Sequence, residues 1–218
     1  PFDSAFDREV ALSKVLTELN RWAVAGTRGH VLLHAGAVER DGRVVVIAGS
    51  SGRGKSTLTA ALVRSGFSYL TDEMVVIDPA TGFVRPYPKP IDLGPESVAL
   101  LGLAWDKCRV PASRLGTISV GGVSGSFVLL ASPESPVDER AGLLEALDPV
   151  DALVEVLNDT FEETFALPDV LTVLAGLVQA ARAHRLKRGR LSDAVAAVES
   201  SLSTSTAVAG ADAPALRQ

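Results

Sequence analysis

Apolar residues recur at helical spacing near the start of the chain and in extended runs after it. The pattern over residues 5–25 predicts an amphipathic helix. Its apolar positions are Val10, Leu12, Val15, Leu16, Leu19 and Trp22. Two apolar runs follow, at 31–39 and 43–48, and Asp41-Gly42 separates them. Because Asp-Gly between two such runs is typical of a β-hairpin, we expect two antiparallel strands here.

The middle of the chain combines one helix with short extended segments. A helix is predicted over 55–65, where Gly66 is a typical C-terminal stop. Further strands are predicted at 67–71, 74–78, 83–87, 116–121 and 126–131, with glycines between the last two that favour a hairpin. A proline-rich loop over 88–95 and a short helix over 95–103 complete this region.

The C-terminal third has mainly helical periodicity. Asp148-Pro149 predicts the start of a helix that runs to about residue 158. A second helix is predicted from Pro168 until Gly189 breaks it, and Ser192 caps a third, which ends near residue 202. The remaining residues, 203–218, are small, polar and unpatterned, so we expect a disordered tail after one domain over 1–202.

Composition restricts the class of protein. The chain has 218 residues, 47% of them hydrophobic, which is enough for a substantial core. A net charge of −5 argues against a nucleic-acid partner. The longest apolar runs, 44–48 and 127–131, are far shorter than the ~20 residues of a membrane span, so no membrane partner is expected. A single cysteine, Cys108, excludes a disulfide scaffold and favours a cytoplasmic location.

The residues with the clearest chemistry lie at 49–57. Residues 49–56 match the G-x-x-x-x-G-K-[ST] pattern of a P-loop (Walker A motif) between a predicted strand and a predicted helix. The expected nucleotide contacts are Gly49, Ser50, Ser51, Gly52, Arg53, Gly54, Lys55, Ser56 and Thr57. In this motif backbone N–H groups and the helix N-terminus hold phosphates, the lysine reaches the β- and γ-phosphates, and the serine binds Mg²⁺. The alternative is an ordinary glycine-rich turn.

The class of nucleotide protein follows from other patterns. The sequence contains neither an Asn-Lys-x-Asp motif nor a Leu-Ser-Gly-Gly-Gln run, which disfavours a GTPase and a transporter-type ATPase. The absence of both motifs points to a phosphotransferase. Its expected cofactors are ATP and Mg²⁺. The order of the predicted strands indicates an α/β fold with a mixed, largely antiparallel sheet and flanking helices.

Two acidic residues, Asp72 and Glu73, follow a short predicted strand. A kinase needs one carboxylate to accept the acceptor's proton and usually another to help hold Mg²⁺. In an ideal strand the two side chains would point to opposite faces, so both reach one site only if the chain bends. The alternative is a solvated acidic turn. His34 lies within a predicted strand, where a lone histidine is more often structural than catalytic.

Residues 33–78 resemble the catalytic domain of bacterial HPr kinase/phosphorylase and the HPr-kinase-like proteins that modify biosynthetic peptides. In that family a histidine strand precedes a hairpin, a P-loop follows, and a short strand then ends in an acidic pair. The resemblance implies that Asp72 is the general base with His34 beside it, tuning its proton affinity. It also implies that Ser56 and Glu73 contribute to the Mg²⁺ site, and that the fold is like that of phosphoenolpyruvate carboxykinase.

The resemblance also indicates which reaction to expect. The Pro-Val-Arg-Pro-Gly-Arg-Asn motif associated with the phosphorylase reaction is not in the sequence. We therefore expect a serine kinase acting on a peptide or small protein. A kinase for free serine or another small alcohol and a non-catalytic nucleotide-binding module are the alternatives. The sequence leaves a homo-oligomer open.

Two further sets of basic residues have a less defined role. Lys89, in the proline-rich loop, is a candidate for contacting substrate or phosphate, or is a solvated loop residue. A basic cluster near the C-terminus either complements a helix end or docks an acidic peptide. Its members are Arg182, Arg185, Lys187, Arg188 and Arg190.

Overall fold

An open β-sheet organises the chain. The computed structural model describes residues 5–104, 109–130, 142–166 and 169–203. Within these residues nine strands form the sheet, and six of its eight strand pairings are antiparallel. Helices pack on both faces of this sheet. The predicted fold class, a mixed and largely antiparallel α/β fold, is therefore confirmed.

The strands alternate with seven α-helices and one 3₁₀-helix within the described residues. The strands are β1 (Val31–Leu33), β2 (Gly36–Arg40), β3 (Arg43–Ala48), β4 (Ser68–Thr71), β5 (Val75–Ile77), β6 (Phe83–Arg85), β7 (Ile91–Asp92), β8 (Arg109–Val110), β9 (Gly122–Leu130), β10 (Leu144–Ala146) and β11 (Arg182–Leu186). The helices are α1 (Ala5–Gly26), α2 (Lys55–Arg64), α3 (Pro95–Leu100), α4 (Ala112–Leu115), α5 (Pro149–Asn158), the 3₁₀-helix (Glu162–Ala166), α6 (Val170–Ala180) and α7 (Leu191–Ser203).

The sheet has the order β1-β5-β6-β9-β3-β2-β4, and β11 joins it along β9 with β10 outside it. The central strand β9 runs parallel to β3 and to β11. One core lies between the sheet and α5 with α6, and a second lies between the sheet and α2 with α7. Both cores are built mainly from valine, leucine and alanine, in keeping with the composition.

Five predicted helices are confirmed, namely those at 5–25, 55–65, 95–103, 149–158 and 192–202, which correspond to α1, α2, α3, α5 and α7, although α3 ends earlier, at Leu100. The apolar stripe of α1 is mostly exposed, with Trp22 at 65%, and of the six apolar positions given for it only Leu16 is partly buried. Among the described residues, no helix combines the length and apolar character that crossing a membrane requires. Cys108, Pro168 and residues 204–218 lie outside the described residues, so the expected tail is described only at Ser203, which ends α7.

The predicted strand 31–39 is wrong as a single element, because it forms two strands with different partners. β1 pairs with β5, whereas β2 pairs with β3. His34 and Ala35 connect them, so His34 is at a crossing between strands rather than within one. At the start of β2, a Cβ on Gly36 would lie 2.4 Å from Thr59 Oγ1 on α2. Glycine therefore allows this close approach of strand and helix.

The predicted hairpin over 116–131 is also wrong. Residues 122–130 form one strand, β9, and Ile118 makes only an isolated bridge to Tyr69. Glycines in this segment had indicated a turn, but Gly122 serves a close backbone approach. A Cβ on Gly122 would lie 2.6 Å from the carbonyl oxygen of Gly42 in the β2–β3 turn.

The long helix predicted from Pro168 to Gly189 ends at Ala180, and residues 182–186 form β11 instead. β10, at 144–146, was not predicted and pairs with it. β6 pairs with β9 only at residues 122–123, and β11 pairs with β9 further along, at residues 126–130. Pairing with this otherwise open edge of β9 outweighs the helical propensity of residues 182–186. Ala183 and Leu186 are buried there.

Candidate active site

The loop at residues 49–56 joins β3 to α2, as the motif requires. Three of its glycines have positive φ: 140° at Gly49, 78° at Gly52 and 95° at Gly54. Gly54 is the N-cap of α2. Side chains at these positions would be strained, so glycine is what permits the loop to turn directly into the helix N-terminus. We call this segment the 49–56 loop.

Lys55 begins α2 and folds back over this loop. Its side chain is buried, and Nζ donates a hydrogen bond to the carbonyl oxygen of Gly49 over 2.5 Å. Burial lowers the pKa of Lys55, while the carboxylates of Asp159 and Glu73 act in the opposite direction. The lysine therefore lies within electrostatic reach of two acidic groups that come from different parts of the chain.

Asp72 and Glu73 converge on one cation. β4 ends at Thr71 and the chain bends, so the two side chains do not alternate as in a strand. Lys89 Nζ lies 3.1 Å from Asp72 Oδ1 and 3.5 Å from Glu73 Oε2. The acidic pair therefore forms one compact charged cluster with Lys89, which excludes the alternative of a solvated acidic turn.

Two hydrogen-bond donors enclose the buried Asp72 carboxylate. The Tyr69 hydroxyl donates to Asp72 Oδ1 over 2.9 Å, and Lys89 lies on the same oxygen. Burial and the neighbouring Asp72 raise the pKa of Tyr69 well above its usual range, so it remains a donor. Burial alone would lower the pKa of Lys89, but Asp72 and Glu73 outweigh it and the net shift is upward. The lysine therefore keeps its charge at neutral pH.

The His34 ring faces Glu73 across 3.7 Å, measured from Nδ1 to Oε1. The resemblance implied that His34 would lie beside Asp72. In the structure its carboxylate neighbour is Glu73, which is linked to Asp72 through their shared Lys89. The backbone N–H of His34 donates to the Asp159 carbonyl over 2.6 Å, and its ring meets Phe161 edge-on. These contacts fix the ring at the crossing between β1 and β2.

Asp159 is the main residue that the sequence analysis missed. It follows α5, and its carboxylate accepts a hydrogen bond from the Gly49 N–H over 2.6 Å. Burial raises the pKa of Asp159, against the opposing effects of the Gly49 N–H and of Lys55. Nothing in the local pattern distinguishes this aspartate from an ordinary helix end, because its partner lies 110 positions away.

A cavity of about 510 Å³ opens beside the 49–56 loop. This volume lies within the usual range of small-ligand pockets, roughly 300–1,000 Å³. The lining includes His34, Ser50, Ser51, Glu155, Asp159 and Phe161. A molecule in the cavity would therefore contact both the loop and the histidine.

The remaining loop residues have different environments. The Arg53 N–H donates to the Ser50 carbonyl over 3.3 Å, which closes the turn. The Thr57 hydroxyl is hydrogen-bonded to Ser97 Oγ on α3 over 2.7 Å, so it is directed away from the loop. Ser56 is half-buried in the first turn of α2. Nucleotide contacts by these side chains remain predictions.

The donor groups present suit Mg²⁺ bound with a nucleotide. No group of three or more His, Cys, Asp or Glu residues that could enclose a metal occurs in the described parts of the chain. Magnesium commonly needs only one or two carboxylates, because phosphates and water complete its ligands. Glu73 and the Ser56 hydroxyl in the first turn of α2 are the residues that could hold the ion in this way.

The basic cluster begins on β11, with Arg182 and Arg185, and continues through the segment that leads to α7. Arg185, on β11, forms an ion pair with Glu155 on α5. Just after the strand, Lys187 lies 3.6 Å from Glu145 on β10. These two residues tie β11 to its neighbours, which corrects the prediction that the cluster complements a helix dipole. Docking of an acidic peptide by the cluster remains a prediction.

Comparisons with known proteins give structural likenesses but no match to a family or a curated sequence. No protein-family model matches the chain, and no curated protein sequence matches it significantly. Among solved structures, it is similar to the Hpr(Ser) kinase/phosphatase from Coxiella burnetii at 13% sequence identity. That match covers 79% of this chain and 97% of the other, with a TM-score of 0.44. A likeness at this level assigns neither a family nor an activity to the chain.

Proposed function

We propose that the protein is an ATP- and Mg²⁺-dependent kinase that phosphorylates a hydroxyl group, most plausibly a serine of a peptide or small protein. The observation that carries the proposal is the convergence of Lys55 with the acidic cluster. Glu73 is close enough to influence the pKa of Lys55, and it shares Lys89 with the buried Asp72. These observations support the proposal that the P-loop lysine and the candidate base act in one site.

The proposed mechanism assigns the phosphates to the 49–56 loop. Backbone N–H groups and the N-terminus of α2 would hold them, and Lys55 would offset charge on the transferring phosphoryl group. Mg²⁺, held by Ser56 and Glu73, would neutralise phosphate charge when bound. These contacts are directed at the group that moves, which is where a kinase needs electrostatic stabilisation.

Asp72 would accept the proton of the acceptor hydroxyl. As the acceptor oxygen bonds to the γ-phosphorus, the bond from that phosphorus to the β–γ bridging oxygen breaks and ADP leaves. The proton passes to Asp72, which therefore has to be ionised beforehand. Before nucleotide binds, Lys89 and the Tyr69 hydroxyl each place a hydrogen-bond donor on one oxygen of this carboxylate.

The cavity beside His34 is the proposed position of the acceptor side chain. It adjoins both the 49–56 loop and the histidine that faces Glu73. The sequence resemblance to kinases that modify peptides favours a serine in a peptide. A free small alcohol is the second candidate, because the cavity is also large enough for a single amino acid. The cytoplasmic location and a homo-oligomer remain predictions.

Transfer of label from [γ-³²P]ATP tests the proposal. The purified chain is incubated with Mg²⁺ and a panel that contains serine peptides, alanine-substituted controls and free serine. We expect label on serine peptides, and no label with the Asp72→Asn variant. Label on free serine alone would identify a small-molecule kinase. ATP binding without transfer to any acceptor would contradict the proposal and favour a non-catalytic nucleotide-binding module.

A further inference from the structure

Lys89 occupies the position between the two carboxylates of the acidic cluster. Its ammonium group touches Asp72 and Glu73, and its side chain is only 16% exposed. The side chain of Asp72 is 2% exposed. The buried Asp72 carboxylate beside the half-buried Glu73 needs a counter-ion, because like charges repel and a buried charge loses hydration energy. In the structure Lys89 supplies that positive charge.

The surrounding residues hold Lys89 in place. The prolines on either side, Pro88 and Pro90, restrict the backbone of the loop. The Tyr69 hydroxyl, which donates to Asp72, is also within hydrogen-bond distance (3.2 Å) of the carbonyl oxygen of Lys89. One tyrosine thereby links the lysine backbone to the carboxylate that its ammonium group contacts. The lysine belongs to the built structure of the cluster rather than to a solvated loop.

We propose that Lys89 is a resident counter-ion that excludes a divalent cation from the Asp72–Glu73 pair until nucleotide arrives. The inference rests on the proposed function, since it assumes that this cluster receives Mg²⁺ with ATP. A metal ion alone must displace the ammonium group and gains few ligands in return. A metal ion that arrives with a triphosphate brings phosphate oxygens as further ligands, and the phosphates supply new negative charge for the displaced lysine.

Binding of Mn²⁺ without nucleotide tests this inference. Free Mn²⁺ is followed by electron paramagnetic resonance during titration of the full chain. We expect weak binding by the wild type and binding at least about tenfold tighter by Lys89→Met, because the competing positive charge is gone. Lys89→Gln should also gain affinity, whereas Lys89→Arg should behave like the wild type. The matched control is Lys187→Met, which removes a lysine paired with Glu145 and should leave Mn²⁺ binding unchanged.

A second variant locates the gained site. Lys89→Met combined with Glu73→Gln should lose the gain, since one of the two carboxylates is neutralised. Melting temperatures give an independent measurement, because a bound ion stabilises the folded state in proportion to its affinity. Mn²⁺ should raise the melting temperature of Lys89→Met more than that of the wild type.

The inference and the proposed function can fail separately. Tight nucleotide-free Mn²⁺ binding by the wild type would overturn the counter-ion role, whether or not the variants fold, and would leave the kinase proposal standing. Equal Mn²⁺ affinity of Lys89→Met and the wild type would overturn it as well. The expected gain in Mn²⁺ affinity, found in a protein that transfers no phosphate, would support the counter-ion role and contradict the kinase proposal.

Discussion

Two acidic regions flank Lys55, and the protein holds their charges in different ways. Side-chain donors, Tyr69 and Lys89, enclose the Asp72 carboxylate. The Asp159 carboxylate instead accepts a backbone N–H from Gly49, the first residue of the 49–56 loop. The first region balances charge with charge, whereas the second fastens the loop to the end of α5.

From this difference we assign the chemical step to the Asp72 region and the positioning of the 49–56 loop to the Asp159 region. The Asp72 carboxylate belongs to a cluster of charged and polar side chains, which is where we place the chemical step. A carboxylate hydrogen-bonded to the loop backbone fixes the position of the loop's N–H groups, and Asp159 also holds the backbone of His34 through its carbonyl. We therefore expect changes at Asp72 to affect turnover and changes at Asp159 to affect nucleotide affinity.

The largest effect is expected at Lys55, which lies between the two regions. Lys55→Ala should lower phosphate transfer by about 10²–10³-fold or more, because a group that stabilises developing charge is lost. It should also weaken ATP binding about tenfold. Fluorescent ATP-analogue titration and the labelled-transfer assay measure the two quantities. Retention of near-normal transfer would show that Lys55 is not part of the transfer site.

Asp159→Asn should weaken ATP binding by about tenfold, since a charge-assisted hydrogen bond to the loop becomes a neutral one. Transfer at saturating ATP should change much less. The matched control is Asp151→Asn, which changes an exposed aspartate in the first turn of the same helix. Equal losses of ATP affinity in both variants would remove the special role of Asp159.

The Asp159 region also predicts a pH dependence of stability. Because burial raises the pKa of Asp159 in the folded state, ionising it costs more there than in the unfolded chain. The wild type should therefore lose stability relative to Asp159→Asn as pH rises from the ordinary carboxyl range through the raised pKa. Above that range the difference should level off. Urea unfolding of both proteins between pH 4 and pH 8 measures it, and a difference that moves the opposite way would contradict the assignment.

The smallest effect is expected where the helix after the loop meets α3. Thr57→Val removes the hydrogen bond between Thr57 and Ser97 and should cost about 1 kcal/mol of unfolding free energy. A double-mutant cycle with Ser97→Ala isolates the pair. ATP binding should hardly change, because this hydroxyl is directed away from the 49–56 loop. A large loss of ATP affinity in Thr57→Val would instead place Thr57 at the nucleotide.

The sequence predicted those features that depend on neighbouring residues. The 49–56 loop, its glycines and the helix over 55–65 follow from local spacing, as does the acidic pair at the end of β4. The sequence could not predict the bend that brings Asp72 and Glu73 to one ammonium group. It showed only that both side chains reach one site if the chain bends there. The crossing at His34 was missed, because apolar residues lie on both sides of His34 although the two halves of the run 31–39 pair with different strands.

Features that depend on distant partners could not be predicted. β11 has residues compatible with a helix, and it becomes a strand because β9 offers an unfilled edge. Asp159 acquires its role only when the end of α5 reaches Gly49. The sequence left Lys89 either as a contact to substrate or phosphate or as a solvated loop residue; its distances to Asp72 and Glu73 exclude the solvated alternative, and the contact remains a prediction.

The central claim is that the Asp72 region carries out the transfer while the Asp159 region positions the loop. Asp72→Asn and Asp159→Asn, measured side by side for ATP affinity and for transfer at saturating ATP, test it most directly. We predict opposite patterns: Asp72→Asn keeps ATP affinity within about twofold and loses transfer, and Asp159→Asn loses affinity and keeps most of its transfer. Near-normal transfer by Asp72→Asn, or the same pattern in both variants, would contradict the claim.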